Sequence, residues 1–339
     1  MKIIGLEEHV VAPDLLAAWS RLPGAEQSAE LGFRDHPMAQ RLRGVGDQRI
    51  ADMDDQGVDV QVLSQTTPGV QNLAPADAVI VAREANDALV QIVRRRPDRF
   101  QALAALPTPD PDAAAAELER VTASGGFRGA MLYGRTGERN ADAREYDDLY
   151  GVAERLGAPL YFHPQAPVPQ VKQAYYAGYG EPIDSMFANS GLGWYYDSGI
   201  QLLRMIFSGV FDRFPKLQVI VGHWGELVLF YLDHVQIMGG ALKLERPLLD
   251  YYRQNVWVTG SGTLSERYMR WTLEVVGPER MMYSTDYPYT FGSGVDPLDT
   301  SKGKARSFLE QAPLSDVDKA LIGSEAWERL TDHLVTQGG

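Results

Sequence analysis

The fold class this sequence predicts is α/β, as a single (β/α)8 TIM barrel. Three observations carry that expectation. Short β-rich runs recur eight times along the 339 residues. Helical patterns separate them. The runs are apolar on both faces, as parallel strands covered by helices must be. A doubly wound open sheet is the main competitor, but no glycine-rich phosphate loop follows the first strand.

The runs are "KIIGLEEHV" (2–10), "VDVQVLSQ" (58–65), "FQALAAL" (100–106), "GAMLYGR" (129–135), "PLYFHP" (159–164), "LQVIVGHWG" (217–225), "VWVTGSG" (256–262) and "MMYSTDYP" (281–288). Between the second and third, "PADAVIVAREANDALVQIVRRRP" has apolar residues at helical spacing, a proline at its start and a basic last turn. "DPDAAAAELERVTASGG" starts at Asp-Pro and stops at Gly125-Gly126. "SGIQLLRMIFSGVFDRFP" precedes the sixth run and "SERYMRWTLEVVGPER" the eighth. "GSEAWERLTDHLVTQGG" reads as a closing helix with a frayed end. Two connections are overlong, residues 11–47 after strand one and 165–193 after strand five. Long loops at the active face of a barrel cover substrate or make a subunit contact. No linker composition marks a second domain, so residues 1–339 are expected to form one.

Composition excludes several classes. A formal charge of −13 argues against a nucleic-acid surface. No run reaches the ~18 apolar residues of a membrane span, and no signal peptide is evident. Zero cysteines exclude disulfides, thiolate nucleophiles and thiolate-ligated zinc, and fit a reducing cytoplasm. Any metal must be held by His, Asp and Glu.

The polar residues then fall on the barrel frame. Of six histidines, His9, His163 and His223 end predicted strands one, five and six, and Asp286 ends strand eight. Those ends converge on one mouth. Side chains alternate along a strand, so Glu7 and His9 share a face while Glu8 points the other way. With Glu7 and His9 facing the axis, two imidazoles and two carboxylates meet, a set suited to a divalent metal. Singly, each has a plainer explanation: a structural histidine, a solvated strand end, a turn former. Jointly, coincidence is a poor account. His36, His234 and His333 read as structural or surface residues. Glu226 lies three residues after His223, in the first turn of the next helix, where its carboxylate can turn back and keep the imidazole protonated. A glutamate serving only the helix dipole is the alternative.

The Glu-x-His of "LEEHV", the "FHP", the "GHWGE" and the "STDYP" together resemble the amidohydrolase superfamily. More closely they resemble its metal-dependent, non-oxidative decarboxylase branch, which includes aminocarboxymuconate-semialdehyde, gamma-resorcylate and 2,3-dihydroxybenzoate decarboxylases. "ANDALVQIVRRRPDRFQALAALPTPDPDAAAAELER" and "SGVFDRFPKLQVIVGHWGE" extend the likeness, which runs from about residue 3 to 330. Strand four, "GAMLYGR", offers no lysine, unlike many hydrolytic members, which suits a mononuclear site. The resemblance implies that Glu7, His9, His163 and Asp286 bind one divalent metal, zinc first, with manganese or magnesium as alternatives. It implies that His223, supported by Glu226, is an acid–base or electrostatic partner beside the substrate. "LVLFYLDHV" after "HWGE" lacks an arginine that some members place there. Arg34, Arg41 and Arg43 in the first long loop are candidates to meet the substrate carboxylate.

The implied activity is reversible decarboxylation of a small aromatic, ortho-hydroxylated carboxylic acid, with Asp286 delivering a proton to the ring carbon. A metal-dependent hydrolase of lactones or amides, or a hydratase, is the alternative. A non-catalytic metal-sensing protein on the same scaffold is a further one. The long loops and the run "AYYAGYG" lead to an expected homodimer or homotetramer.

Overall fold

The computed structural model describes residues 1–22, 37–289 and 304–334. Arg34, His36 and the frayed end at 335–339 lie outside the described residues. The strands are β1 (Ile4–Val10), β2 (Val60–Gln65), β3 in two pieces (Phe100–Ala102 and Ala104–Ala105), β4 (Ala130–Leu132), β5 (Leu160–Phe162), β6 (Val219–Val221), β7 (Val256–Thr259) and β8 (Met281–Met282). Each pairs in parallel with the next. Leu103 bridges the break in β3 by donating to the Leu63 carbonyl at 2.9 Å. The ring closes where Leu6 donates to Tyr283 O at 3.1 Å and His9 to Tyr287 O at 2.7 Å. The molecule is a (β/α)8 barrel.

One core cluster fixes which way the strands face. It takes Ile4 and Leu6, Val60 and Val62, Leu103, Met131 and Tyr133, Tyr161, Ile220, Trp257 and Met282. Residues from every strand can meet only inside the barrel. Trp327 of the closing helix Ala326–Thr331 joins this cluster and stoppers the end opposite the mouth. Alternate residues such as Val219, Val221, Val256 and Val258 pack outward against the helices. Each such aliphatic side chain, fully buried, contributes about 1.5–3 kcal/mol.

The helices follow their sequence signals. Pro75–Arg95 starts at proline and ends on Arg94 and Arg95. Pro111–Ala123 is capped by Asp110, whose carboxylate accepts from Ala113 N at 3.1 Å. Glu266–Val276 is capped by Ser265. The sixth run is covered by Gly193–Phe207 and the short Val210–Arg213. The 165–193 connection contains the short helical turns Pro169–Val171, Lys172–Tyr176, Ile183–Met186 and Phe187–Gly191. Among the described residues, no helix is long and apolar enough to cross a membrane.

Two expectations needed correcting. The runs at 217–225 and 281–288 are extended for only three and two residues respectively. Beyond them the backbone turns left-handed, with φ of 45° at His223, 60° at Trp224 and 57° at Asp286. Glu226 is not in the first turn of a regular α-helix. It has φ 54°, and the following helix is Val228–Val235.

Candidate metal centre and active site

Glu7 and His9 do not reach the barrel axis by simple alternation. Ile4 and Leu6 point inward, so unbroken alternation would send Glu8 in and Glu7 out. The pairing of β1 with β2 slips in between: Gly5 lies opposite Gln61, and Glu8 opposite Leu63. Three steps on β1 match two on β2, which is a β-bulge. The extra residue reverses the parity. Glu7 and His9 then face the mouth, and Glu8 faces outward.

There they meet His163, which follows β5, and Asp286, which follows β8. One ligand atom from each of these four residues lies within 4.8 Å of the others. His163 Nε2 is 3.0 Å from Glu7 Oε1, and His9 Nε2 is 3.2 Å from Asp286 Oδ1. Glu7, His9 and His163 are buried to 2 % exposure or less. Among the described residues, Glu7 Oε1, His9 Nε2 and Asp286 Oδ1 have no hydrogen-bond partner. Several unpaired buried polar atoms aimed at one centre would each cost ~1–3 kcal/mol. A cation among them removes that cost, so the four residues fit a divalent metal.

Surrounding groups orient the four. His163 Nδ1 lies 2.6 Å from the Pro164 carbonyl, which favours Nδ1–H and leaves Nε2 to face inward. The Tyr161 hydroxyl donates to Glu7 Oε2. Gly222 leaves room for that carboxylate, since a Cβ there would lie 2.6 Å from Glu7 Oε2.

His223 completes the group. Its Nε2 is 3.4 Å from Glu7 Oε1, and its Nδ1 is 2.9 Å from Glu226 Oε1. The left-handed turn, rather than a helical i,i+3 relation, brings Glu226 back. Burial opposes a charged His223, but Glu7 and Glu226 outweigh it and push the imidazole up to about 10. Burial likewise works against an ionised Glu7, yet His223 and His163 hold its carboxyl well below the usual range. His9 is raised to about 9: burial lowers it, and Asp286 and Glu7 more than compensate. His163 is lowered by burial.

Aromatic walls enclose these groups. The Trp194 ring lies 6.0 Å from His163, the Tyr195 ring 4.8 Å from His223, and the Tyr289 ring 5.4 Å from His9. Beside His223 opens a cavity of about 620 Å3, lined in part by Leu192, Tyr195, Trp224, Phe230 and Arg267. The sequence singled out none of these walls. Tyr161 alone had a signal, because it lies two residues before His163 on a strand. Of the other predicted residues, Arg41 donates Nε to Asp52 at 3.0 Å, and Arg43 is exposed at the end of the helix Pro37–Arg43. His234 and His333 are exposed, as expected.

The amidohydrolase family model matches residues 33–325. The chain is 35% identical to decarboxylase orsB of Emericella nidulans over 259 residues, covering 74% of this chain and 76% of that one. It is 30% identical to gamma-resorcylate decarboxylase of Rhizobium radiobacter, covering 96% and 97%. Among solved structures it resembles 5-carboxyvanillate decarboxylase from Novosphingobium aromaticivorans, complexed with manganese and 4-hydroxy-3-methoxy-5-nitrobenzoic acid. The TM-score is 0.86 and the identity 27%, with coverage of 97% and 95%. The chain belongs to the amidohydrolase family, in the branch that contains these decarboxylases.

Proposed function

We propose that the protein decarboxylates a small aromatic acid carrying a hydroxyl ortho to its carboxylate, reversibly and without redox chemistry. Glu7, His9, His163 and Asp286 hold one divalent metal. The observation that carries this reading is the convergence of Glu7, His9, His163 and Asp286, three of them with unpaired buried atoms, beside His223 paired with Glu226. When bound, the metal supplies a Lewis acid for the substrate's carboxylate and hydroxyl oxygens. Manganese in the 5-carboxyvanillate decarboxylase structure makes manganese the first ion to test, ahead of the zinc expected at first, since imidazole and carboxylate ligands do not choose sharply between them.

The chain's own residues do the rest. Asp286 delivers a proton to the ring carbon that bears the carboxylate. The bond to the carboxyl carbon then breaks, its electron pair returns to the ring, and carbon dioxide leaves. His223, held by Glu226, balances the substrate's negative charge from a largely buried position. Trp194 and Tyr195 wall that site and position a flat ring.

The subunits associate through the 165–193 connection. Tyr175, Tyr179, Ile183 and Met186 of that segment are exposed by 46–73%, more apolar surface than a free loop requires. The chain is a single barrel domain and works in the cytoplasm. A sedimentation measurement finding only a 37.5 kDa species at micromolar concentration would reject the association.

The functional test is a panel of hydroxybenzoates assayed for carbon dioxide release beside lactones and amides, with metal content measured in parallel. About one equivalent of metal per chain and release from ortho-hydroxylated acids are expected, and His163→Ala should lose both. Cleavage of lactones or amides with no carbon dioxide release would replace this reading by a hydrolase.

A further inference from the structure

Glu8 is a buried carboxylate that the proposed reaction does not use. It is fully buried, on the outer face of β1, with its back to the metal-binding group. Its carboxylate fills the space above Gly5, where a Cβ would lie 2.3 Å from Oε1. Burying a carboxylate in a barrel wall is costly, and an apolar side chain of similar size would fill the space more cheaply.

Its bonds show what it holds. Oε1 accepts from Thr285 N at 2.9 Å, and Oε2 accepts from Thr285 Oγ1 at 2.6 Å. Oε2 also accepts from Gln61 Nε2 at 2.9 Å. Gln61 in turn accepts from Arg49 Nε at 2.6 Å, and Arg49 donates Nη1 to the His9 carbonyl at 2.8 Å. The guanidinium lies 4.5 Å from the centre of the Tyr287 ring, whose hydroxyl donates to Asp52 at 2.7 Å. Thr285 and Tyr287 are the two neighbours of Asp286. Asp286 itself sits at φ 57°, a left-handed conformation uncommon for residues other than glycine, though less so for aspartate than for most.

We infer that Glu8 is a positioning residue for Asp286: by clamping Thr285 from the outer side of the barrel wall, it aims the Asp286 carboxylate at the metal. Arg49 and Gln61 tie the same clamp to His9, so the residues from strands one and eight share one support. This rests on the proposed metal site.

The test measures manganese affinity by chelator competition for Glu8→Gln and Thr285→Val, each alone and in an Asp286→Asn background. Glu8→Gln keeps the shape but sets an amide N–H2 against either Gln61 or Thr285. Thr285→Val removes only the hydroxyl bond and keeps the backbone N–H, so it carries the test if Glu8→Gln does not fold. Each substitution alone should weaken manganese binding about 10-fold or more, as for other outer partners of metal ligands. With Asp286→Asn present, Thr285→Val should add no more than about twofold, because its path to the metal is already cut, and Glu8→Gln should keep only the share that runs through Gln61 and Arg49 to His9. Full additivity, or a lower metal-free melting temperature with unchanged affinity, would overturn the inference and leave Glu8 a packing residue. If the unaltered protein binds no manganese or zinc, the metal site falls and the inference with it, a result distinct from additivity.

Discussion

Gly222→Ala is a substitution whose consequence can be worked from distances alone. Gly222 has φ −80° and ψ −168°, ordinary extended backbone that alanine adopts without strain. The obstacle is the space above it. The new Cβ would stand 2.6 Å from Glu7 Oε2, 2.9 Å from Ser261 Oγ and 3.0 Å from the Tyr161 hydroxyl. Even a tight contact of 3.0 Å requires the carboxylate oxygen to retreat by 3.0 − 2.6 = 0.4 Å. Glu7 cannot retreat freely, because Tyr161 holds the same oxygen and the barrel interior packs beneath it. Metal–ligand distances tolerate about ±0.2 Å. The methyl group therefore displaces a ligand by twice that tolerance, or strains the core by ~1–3 kcal/mol as overpacking does. The expected result is a 10- to 100-fold loss of metal affinity, read by chelator competition. The melting temperature of the metal-free protein should fall modestly, and turnover should recover in part at high metal concentration. Wild-type affinity with an unchanged metal-free melting temperature in a folded Gly222→Ala protein would refute the assignment of Glu7 as a ligand.

Three further outcomes are expected. His223→Asn should keep its metal and lose at least about 100-fold in turnover, the size of a lost acid–base or charge-stabilising group. Glu226→Gln should lose less and move the alkaline limb of the pH profile to lower pH, since the carboxylate that raises His223 is gone. Asp197 is raised by burial to about 6, with Arg135 Nε 3.8 Å away lowering it too little to compensate. A raised folded-state value adds stability below the unfolded value near 4, and that stability is lost as pH rises through about 6. Thermal melts should therefore show Asp197→Asn losing less stability than wild type between about pH 4 and 7, by up to about 3 kcal/mol. Parallel pH dependence in the two proteins would contradict it.

The barrel and the convergence of Glu7, His9, His163 and Asp286 were legible because both depend on local pattern. Apolar runs of β-branched residues separated by capped helices leave few topologies, and a barrel brings strand ends together. That is why His163 and Asp286 could be placed from sequence. Glu7 and His9 face the mouth for a reason that alternation alone does not contain. Alternation correctly separates them from Glu8, but it cannot say which set faces in. The bulge between Gly5 and Glu8 decides that, and no residue type announces it. The pairing of His223 with Glu226 was also legible, but not its cause. The contact comes from four consecutive left-handed residues after His223, of which only Gly225 is a glycine. Trp194 and Tyr195 were out of reach because the connection before them has no periodicity. Its path over the mouth is set by tertiary packing. The clamp by Glu8 was hidden for the same reason: Thr285 and Gln61 are distant in sequence and meet it only through the barrel.

In the proposed reaction a proton from the protein replaces carbon dioxide on the substrate ring. The most direct measurement follows a 2,6- or 2,3-dihydroxybenzoate in deuterated buffer with metal-loaded enzyme, using mass spectrometry and proton NMR of the product. One deuterium per product molecule is expected, at the carbon that carried the carboxylate, in step with the carbon dioxide released. Asp286→Asn should abolish both. Product formed without deuterium at that carbon, or ring exchange that continues unchanged in Asp286→Asn, would contradict it.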